Sequence, residues 1–241
     1  MTAIALNDFS LDGVQFIVDL RPGAQRGKSA AGGFVLVKTQ EFIEFYRGLA
    51  GKNIKTILEL GMFEGGSLVL FDKLFKPEKI VGVDIRKQPI EPLEAYCANN
   101  PQVLTYYGLS QTDDILSRIL AENFPNGIDL IVDDASHLYE FTKRTFEICF
   151  PHLRPGGTYV IEDWSWAHKP HRQHAGDPWA DKPAMTNLLF ELTLLTTCTN
   201  WIKSLTIHHD MAIIEKSEAS PKVIDAGAYK KLIRGRTLEL I

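Results

Sequence analysis

The chain has 241 residues, 26 basic against 30 acidic side chains for a formal charge of -4, and 45% hydrophobic residues, which suits one large α/β domain better than two. That balance excludes a basic nucleic-acid-binding surface, and no apolar run approaches the length of a membrane span. The N-terminus "MTAIALNDFSLDG" lacks a basic segment followed by an apolar one, so a cytoplasmic protein is expected.

In chain order, residues 1–38 read as an irregular N-terminal arm, a lid or a subunit contact, because "DLRPGAQRGKSAAGG" is rich in Gly, Ala and basic residues. Residues 39–241 read as the main domain. It opens with a helix capped by Thr39, whose apolar face is Phe42, Ile43, Phe45, Tyr46 and Leu49. Five short apolar, β-branched runs follow, at 55–61, 79–85, 102–108, 128–134 and 157–163, with helical patterns at 66–75, 90–99, 112–123 and 138–152 between them. The alternation predicts a mostly parallel sheet with helices on both faces. Past a polar loop at 164–182 and a helix starting near Pro183, "SLTIHHD" and "MAIIEKS" predict an antiparallel pair at the sheet edge, for seven strands in all. Cys97, Cys149 and Cys198 follow no disulfide or zinc spacing and read as buried thiols.

In a sheet of this kind ligands bind beyond the carboxyl ends of the strands. Those ends are Glu59-Leu60-Gly61, Asp84, Ser110, Asp133-Asp134 and Glu162-Asp163, polar or acidic in every case. After the first strand, "ILELGMFEGGS" carries Gly61, Gly65, Gly66 and Ser67 and opens a helix. A dinucleotide fingerprint would need glycine at position 63, which is Phe, and no lysine follows to make a phosphate loop. Glu59 also suits a cationic ligand better than a phosphate at that helix start. The amino group and sulfonium of S-adenosylmethionine are of that kind, and Asp84, 23 residues past Gly61, is placed for ribose hydroxyls. A generic tight turn with a capping Asp is the plainer alternative.

Taken together, Glu59-Leu60-Gly61, Gly65-Gly66-Ser67, Asp84, "GLSQ" at 108–111 and the acidic ends of strands four and five resemble the class I S-adenosylmethionine-dependent methyltransferases, which have a Rossmann-like fold. "ELG-x-x-x-G-x-S" and "G-x-SQ" are similar to catechol O-methyltransferase. "DDASH" with "YVIED" resembles the macrolide-sugar and cephalosporin-biosynthesis methyltransferases, and the likeness runs over residues 39–164. It implies that Glu59, Gly61, Gly65, Ser67 and Asp84 bind S-adenosylmethionine, and that Ser110 and Gln111 lie by the adenine. A plain turn at 108–111 would read much the same.

Asp134 precedes Glu162 by 28 residues, and neighbouring parallel strands lie about 5 Å apart, so Asp134, Glu162 and Asp163 are expected to converge. Convergent carboxylates call for a hard divalent cation, with water and substrate oxygens completing the shell; zinc would prefer His or Cys. The resemblance makes the ion Mg²⁺. A metal lowers the pKa of a coordinated hydroxyl, and His137 is read as the base that deprotonates the acceptor oxygen, with a helix cap or a bridge to an acidic neighbour as the plainer roles. The resembling families carry histidine there for sugar acceptors and lysine for catechols, which favours a sugar or polyketide hydroxyl. Asp133 points to the other strand face and stays outside the metal set. The loop 164–183, with Trp164, Trp166, Trp179, His168, His171 and His174, reads as a lid or substrate wall, while "IHHD" at 207–210 reads as strand-end surface.

The expectation is a Mg²⁺- and S-adenosylmethionine-dependent O-methyltransferase of a small natural product, with no nucleic-acid or membrane partner. By the resemblance it is a homo-oligomer. A non-catalytic cofactor-binding protein of a biosynthetic pathway is one alternative, and an NAD-dependent oxidoreductase another.

Overall fold

The computed structural model describes residues 8–177, 179–219, 224, 226–236 and 239–241. They form two compact units, up to Leu109 and from Ser110 onward.

The first unit begins with three strands, β1 (Phe9–Leu11), β2 (Val14–Val18) and β3 (Gly33–Leu36), where the arm was expected to be irregular. β1 and β2 pair antiparallel through a two-residue turn, and β2 pairs parallel with β3. Asp12 and Gly13 occupy that turn with φ of 46° and 79°, the left-handed geometry that matches hairpin twist. Helix α1 (Gln40–Leu49) follows, and its first turn is capped by Thr39, whose side chain accepts from the Phe42 amide at 3.4 Å. It buries Phe42, Ile43, Tyr46 and Leu49. Then come β4 (Thr56–Leu60), α2 (Gly66–Phe75), β5 (Lys79–Asp84), α3 (Glu91–Asn99) and β6 (Val103–Tyr107), with β5 parallel to both β4 and β6. Two features bind the arm to the start of α2. A Cβ on Gly66 would lie 2.0 Å from the Val35 carbonyl oxygen, so only glycine permits this approach. Ser29 also donates from its hydroxyl to the Glu64 carbonyl (2.7 Å) and accepts from the Val35 amide (2.9 Å).

The second unit holds α4 (Asp114–Asn123), β7 (Ile128–Asp133), α5 (Tyr139–Cys149), β8 (Leu153–Glu162), α6 (Thr186–Cys198), β9 (Ile202–Ile207) and β10 (Met211–Lys216). β7 and β8 are parallel; β10 runs antiparallel to both β8 and β9, which makes the expected edge pair. β8 begins four residues earlier than expected, at Leu153, and its register with β7 shifts between Ile128 and Leu130, which accommodates the Pro155-Gly156-Gly157 stretch. The buried Lys216 ammonium closes this unit from below, donating to the carbonyls of Phe150 (2.9 Å), Pro151 (2.9 Å) and Leu153 (2.6 Å).

Among the described residues the larger sheet has seven strands, in the order β6-β5-β4 within the first unit and β7-β8-β10-β9 within the second, accompanied by six α-helices. It is the Rossmann-like methyltransferase fold expected from the sequence. Cys149 is buried and Cys97 half-buried, while the Cys198 side chain falls outside the described residues. Among the described residues, no helix is long and apolar enough to cross a membrane.

Candidate active site

In the first unit the end of β4 leads into a turn built for close approach. Glu59 is fully buried one residue before the end of the strand, an environment that demands donors or a cation for an ionised carboxylate. Gly61 and Gly65 take φ of 86° and 80°, and Ser67 is buried in the first turn of α2. Asp84, at the end of β5, holds the turn's shape: Oδ2 accepts from the amides of Met62 (2.8 Å) and Phe63 (3.2 Å), and Oδ1 from that of Arg86 (2.8 Å). The structure thus gives Asp84 the turn-holding role of the plainer alternative, a tight turn with a capping Asp. Glu64 ties the same turn to the arm and to β5, accepting from the Ser29 amide (3.2 Å) and pairing with Arg86 (3.1 Å).

In the second unit Ser110 and Gln111 part company. Ser110 stays in its own turn, its amide donating to Asp113 (2.7 Å). Gln111 turns inward and is buried; its Oε1 accepts from the Ser136 amide (3.0 Å) and its Nε2 donates to Thr145 Oγ1 (2.8 Å) and toward Asp133 Oδ1 (3.4 Å).

The ends of β7 and β8 carry the chemistry. Asp134, His137 and Asp163 each offer a ligand atom, and these atoms lie within 4.8 Å of one another. His137 Nε2 is 3.9 Å from Asp134 Oδ1, and both side chains are mostly shielded. Glu162, the last residue of β8, is buried and is not part of that group, so the three side chains gathered are two of the expected carboxylates and the imidazole. His137 and Asp163 both sit in the left-handed region, with φ of 54° and 56°. Such conformations are costly for residues with side chains and persist where the surroundings enforce them. For His137 a helix-capping role is replaced: α5 is entered through Leu138, whose amide donates to Ser136 Oγ (3.3 Å).

Asp133 faces the opposite way, as strand alternation requires, and is buried. Its carboxylate accepts from the Tyr159 hydroxyl (3.2 Å). Burial pushes its pKa up to about 7, the charge of Asp134 adds to this, and hydrogen bonds from Tyr159 and the Ala135 amide oppose it.

The loop after β8 is anchored. Trp166 packs on the His137 ring with centroids 4.3 Å apart, and the Arg172 guanidinium lies 4.7 Å from the indole on which it packs. Asp210, expected as surface, is the anchor: its carbonyl accepts from the Asp163 amide (2.7 Å), its carboxylate from Lys169 (3.2 Å) and the Ser165 hydroxyl. Trp164 donates to the His208 carbonyl (2.9 Å). Of these, the tryptophans carried a signal in the sequence; Tyr159 and Asp210 fall in "YVIED" and "IHHD" without their contacts being foreseen, and Thr145 carried no signal.

The donor set fits a hard divalent cation, with two carboxylates from separate strand ends converging beside one imidazole. The glycine turn with a buried acid beneath it fits a ligand that carries positive charge.

Residues 58–164 match the family described as a methyltransferase domain. The chain is 26% identical over 201 residues to demethylmacrocin O-methyltransferase of Streptomyces fradiae, covering 74% of this chain and 48% of that protein. It is 30% identical over 154 residues to mycinamicin VI 2''-O-methyltransferase of Micromonospora griseorubida, covering 61% and 36%. Among solved structures it is similar to the MycE methyltransferase of the mycinamycin pathway in complex with Mg, SAH and mycinamycin VI, with 27% identity, a TM-score of 0.55, and coverage of 74% and 49%. The chain therefore spans about half the length, or less, of these relatives.

Proposed function

We propose, for a chain that is related to the macrolide-sugar O-methyltransferases and shares their Rossmann-like fold, that it is an S-adenosylmethionine- and Mg²⁺-dependent O-methyltransferase acting on a sugar or polyketide hydroxyl of a small natural product. The observation that carries the reading is the convergence of Asp134, His137 and Asp163 at the ends of β7 and β8. The names of two further relatives, O-methyltransferases of an L-rhamnosyl tetracenomycin C and of an L-olivosyl oleandolide, describe acceptors that carry sugar units and support the acceptor class.

When bound, S-adenosylmethionine supplies an electrophilic methyl group and Mg²⁺ a Lewis acid that makes a hydroxyl easier to deprotonate. Glu59 would meet the donor's cationic end, Gly61, Gly65 and Ser67 would shape the turn around it, and Asp84 would receive the ribose hydroxyls while keeping that turn in place. Ser110 borders the adenine. Asp134 and Asp163, with Glu162 beside them, hold the cation. His137 would take the proton of the acceptor hydroxyl that receives the methyl group, and Trp166 keeps its imidazole in place. Residues 1–38 are the arm, which meets the donor turn through Ser29 and Val35, and residues 39–241 the methyltransferase domain. Methyl transfer to glycosylated acceptors, with and without Mg²⁺, tests the reading.

A further inference from the structure

We infer that Gln111, Asp133 and Tyr159 form a buried positioning network that sets the geometry of the Asp134–His137 loop and, through it, the strength with which the site holds a divalent cation. The inference rests on the function proposed above.

The argument starts from Asp133. A carboxylate this deep at a strand end is costly unless donors surround it. It meets the Tyr159 hydroxyl at Oδ2 (3.2 Å) and the Gln111 amide at Oδ1 (3.4 Å), and it accepts from the Ala135 backbone. Gln111 works from the other side, its Oε1 receiving the Ser136 amide at 3.0 Å. Its own orientation is set by Thr145, whose hydroxyl lies 2.8 Å from Gln111 Nε2 and 2.8 Å from the Phe141 carbonyl. Ala135 and Ser136, the two residues between Asp134 and His137, are thus bonded through their amides into the interior. Directly afterwards the chain turns into the left-handed conformation at His137. Those two bonds tie the backbone between Asp134 and His137 to the interior, while Trp166 packs on the imidazole itself.

Gln111, Asp133, Thr145 and Tyr159 are all buried, so they act through the loop and do not touch acceptor or cation. Partners of this kind orient metal ligands, and losing one typically costs about 10–100-fold in metal affinity. The network gives Gln111 a task different from the adenine contact expected from its motif.

The test uses the full chain and three readouts: Mn²⁺ titration by electron paramagnetic resonance, calorimetry with S-adenosylmethionine, and amide exchange at Ser136 by nuclear magnetic resonance. Tyr159→Phe and Gln111→Leu should each weaken Mn²⁺ binding by about tenfold and lower kcat. S-adenosylmethionine affinity should stay unchanged, and Gln111→Leu should speed exchange at Ser136. Folded variants with wild-type Mn²⁺ affinity and unchanged Ser136 exchange would overturn the inference. So would a Gln111→Leu protein that loses only S-adenosylmethionine affinity, which would make Gln111 a cofactor contact. If Gln111→Leu does not fold, Tyr159→Phe decides by its Mn²⁺ affinity. A wild-type chain that takes up no Mn²⁺ overturns the metal-dependent function itself and the cation half of the inference, leaving Ser136 exchange to judge the loop-holding half.

Discussion

Trp166 lies against His137 with ring centroids 4.3 Å apart and an interplanar angle of 42°, and Arg172 packs on the same indole at 4.7 Å. The imidazole is therefore held on one side by a large, rigid ring that is itself pinned. A base displaced by even about 1 Å loses much of its effect, up to about 100-fold in rate. Trp166→Ala should lower kcat by about tenfold or more, with Trp166→Phe retaining most of it, as read in steady-state kinetics at saturating donor. An Ala variant with normal kcat would reduce Trp166 to a wall of the site.

His137→Ala separates base from ligand. If the imidazole removes the acceptor's proton, kcat should fall by about 10²–10⁴ while Mn²⁺ titration of the variant matches wild type. Lost Mn²⁺ binding would instead make His137 the third ligand beside Asp134 and Asp163, the other chemistry that their 4.8 Å grouping allows.

Asp84 accepts three backbone amides, from Met62, Phe63 and Arg86. Hydrogen bonds to a charged group contribute about 1.5–3 kcal/mol, so Asp84→Ala should loosen the donor turn and, on the function proposed above, also remove the ribose contact. Calorimetry should show S-adenosylmethionine affinity reduced about tenfold or more. Unchanged affinity would leave Asp84 with its structural task alone.

Gly66→Ala puts a methyl 2.0 Å from the Val35 carbonyl oxygen and 3.1 Å from the Leu36 Cα, both of them backbone atoms that cannot swing aside. The start of α2 and β3 would have to separate, a cost expected to exceed about 3 kcal/mol. Urea denaturation should report that loss or a failure to fold. Near-normal stability would contradict the packing of the arm on α2.

Strands β4 to β8 were legible because buried parallel strands are unbroken β-branched runs and their helices carry a different period. β1 to β3 were not: β1 and β3 span only three and four residues, and in β2 (VQFIV) Gln15 breaks the apolar run. Asp12-Gly13 was the available signal, a dipeptide that favours a two-residue hairpin turn, and the Gly/Ala-rich stretch after it obscured it. At the site, Asp134 and Asp163 were readable from strand-end position and His137 from its spacing. The inward turn of Gln111 and the bond from Tyr159 to Asp133 depend on the register of β7 against β8, where Ile131 pairs with Tyr159 and Asp133 with Ile161. That register includes a shift near the start of β7, which residue spacing along the chain does not encode.

On the function proposed above, the acidic cluster beside His137 makes methyl transfer depend on a divalent cation. The direct measurement follows radiolabelled methyl from S-adenosylmethionine to a panel of glycosylated and phenolic natural products, after EDTA treatment and again after Mg²⁺ is restored. The account predicts transfer to a sugar or polyketide hydroxyl that disappears with EDTA, returns with Mg²⁺, and does not return in Asp134→Asn. Transfer that persists in full with EDTA would contradict it.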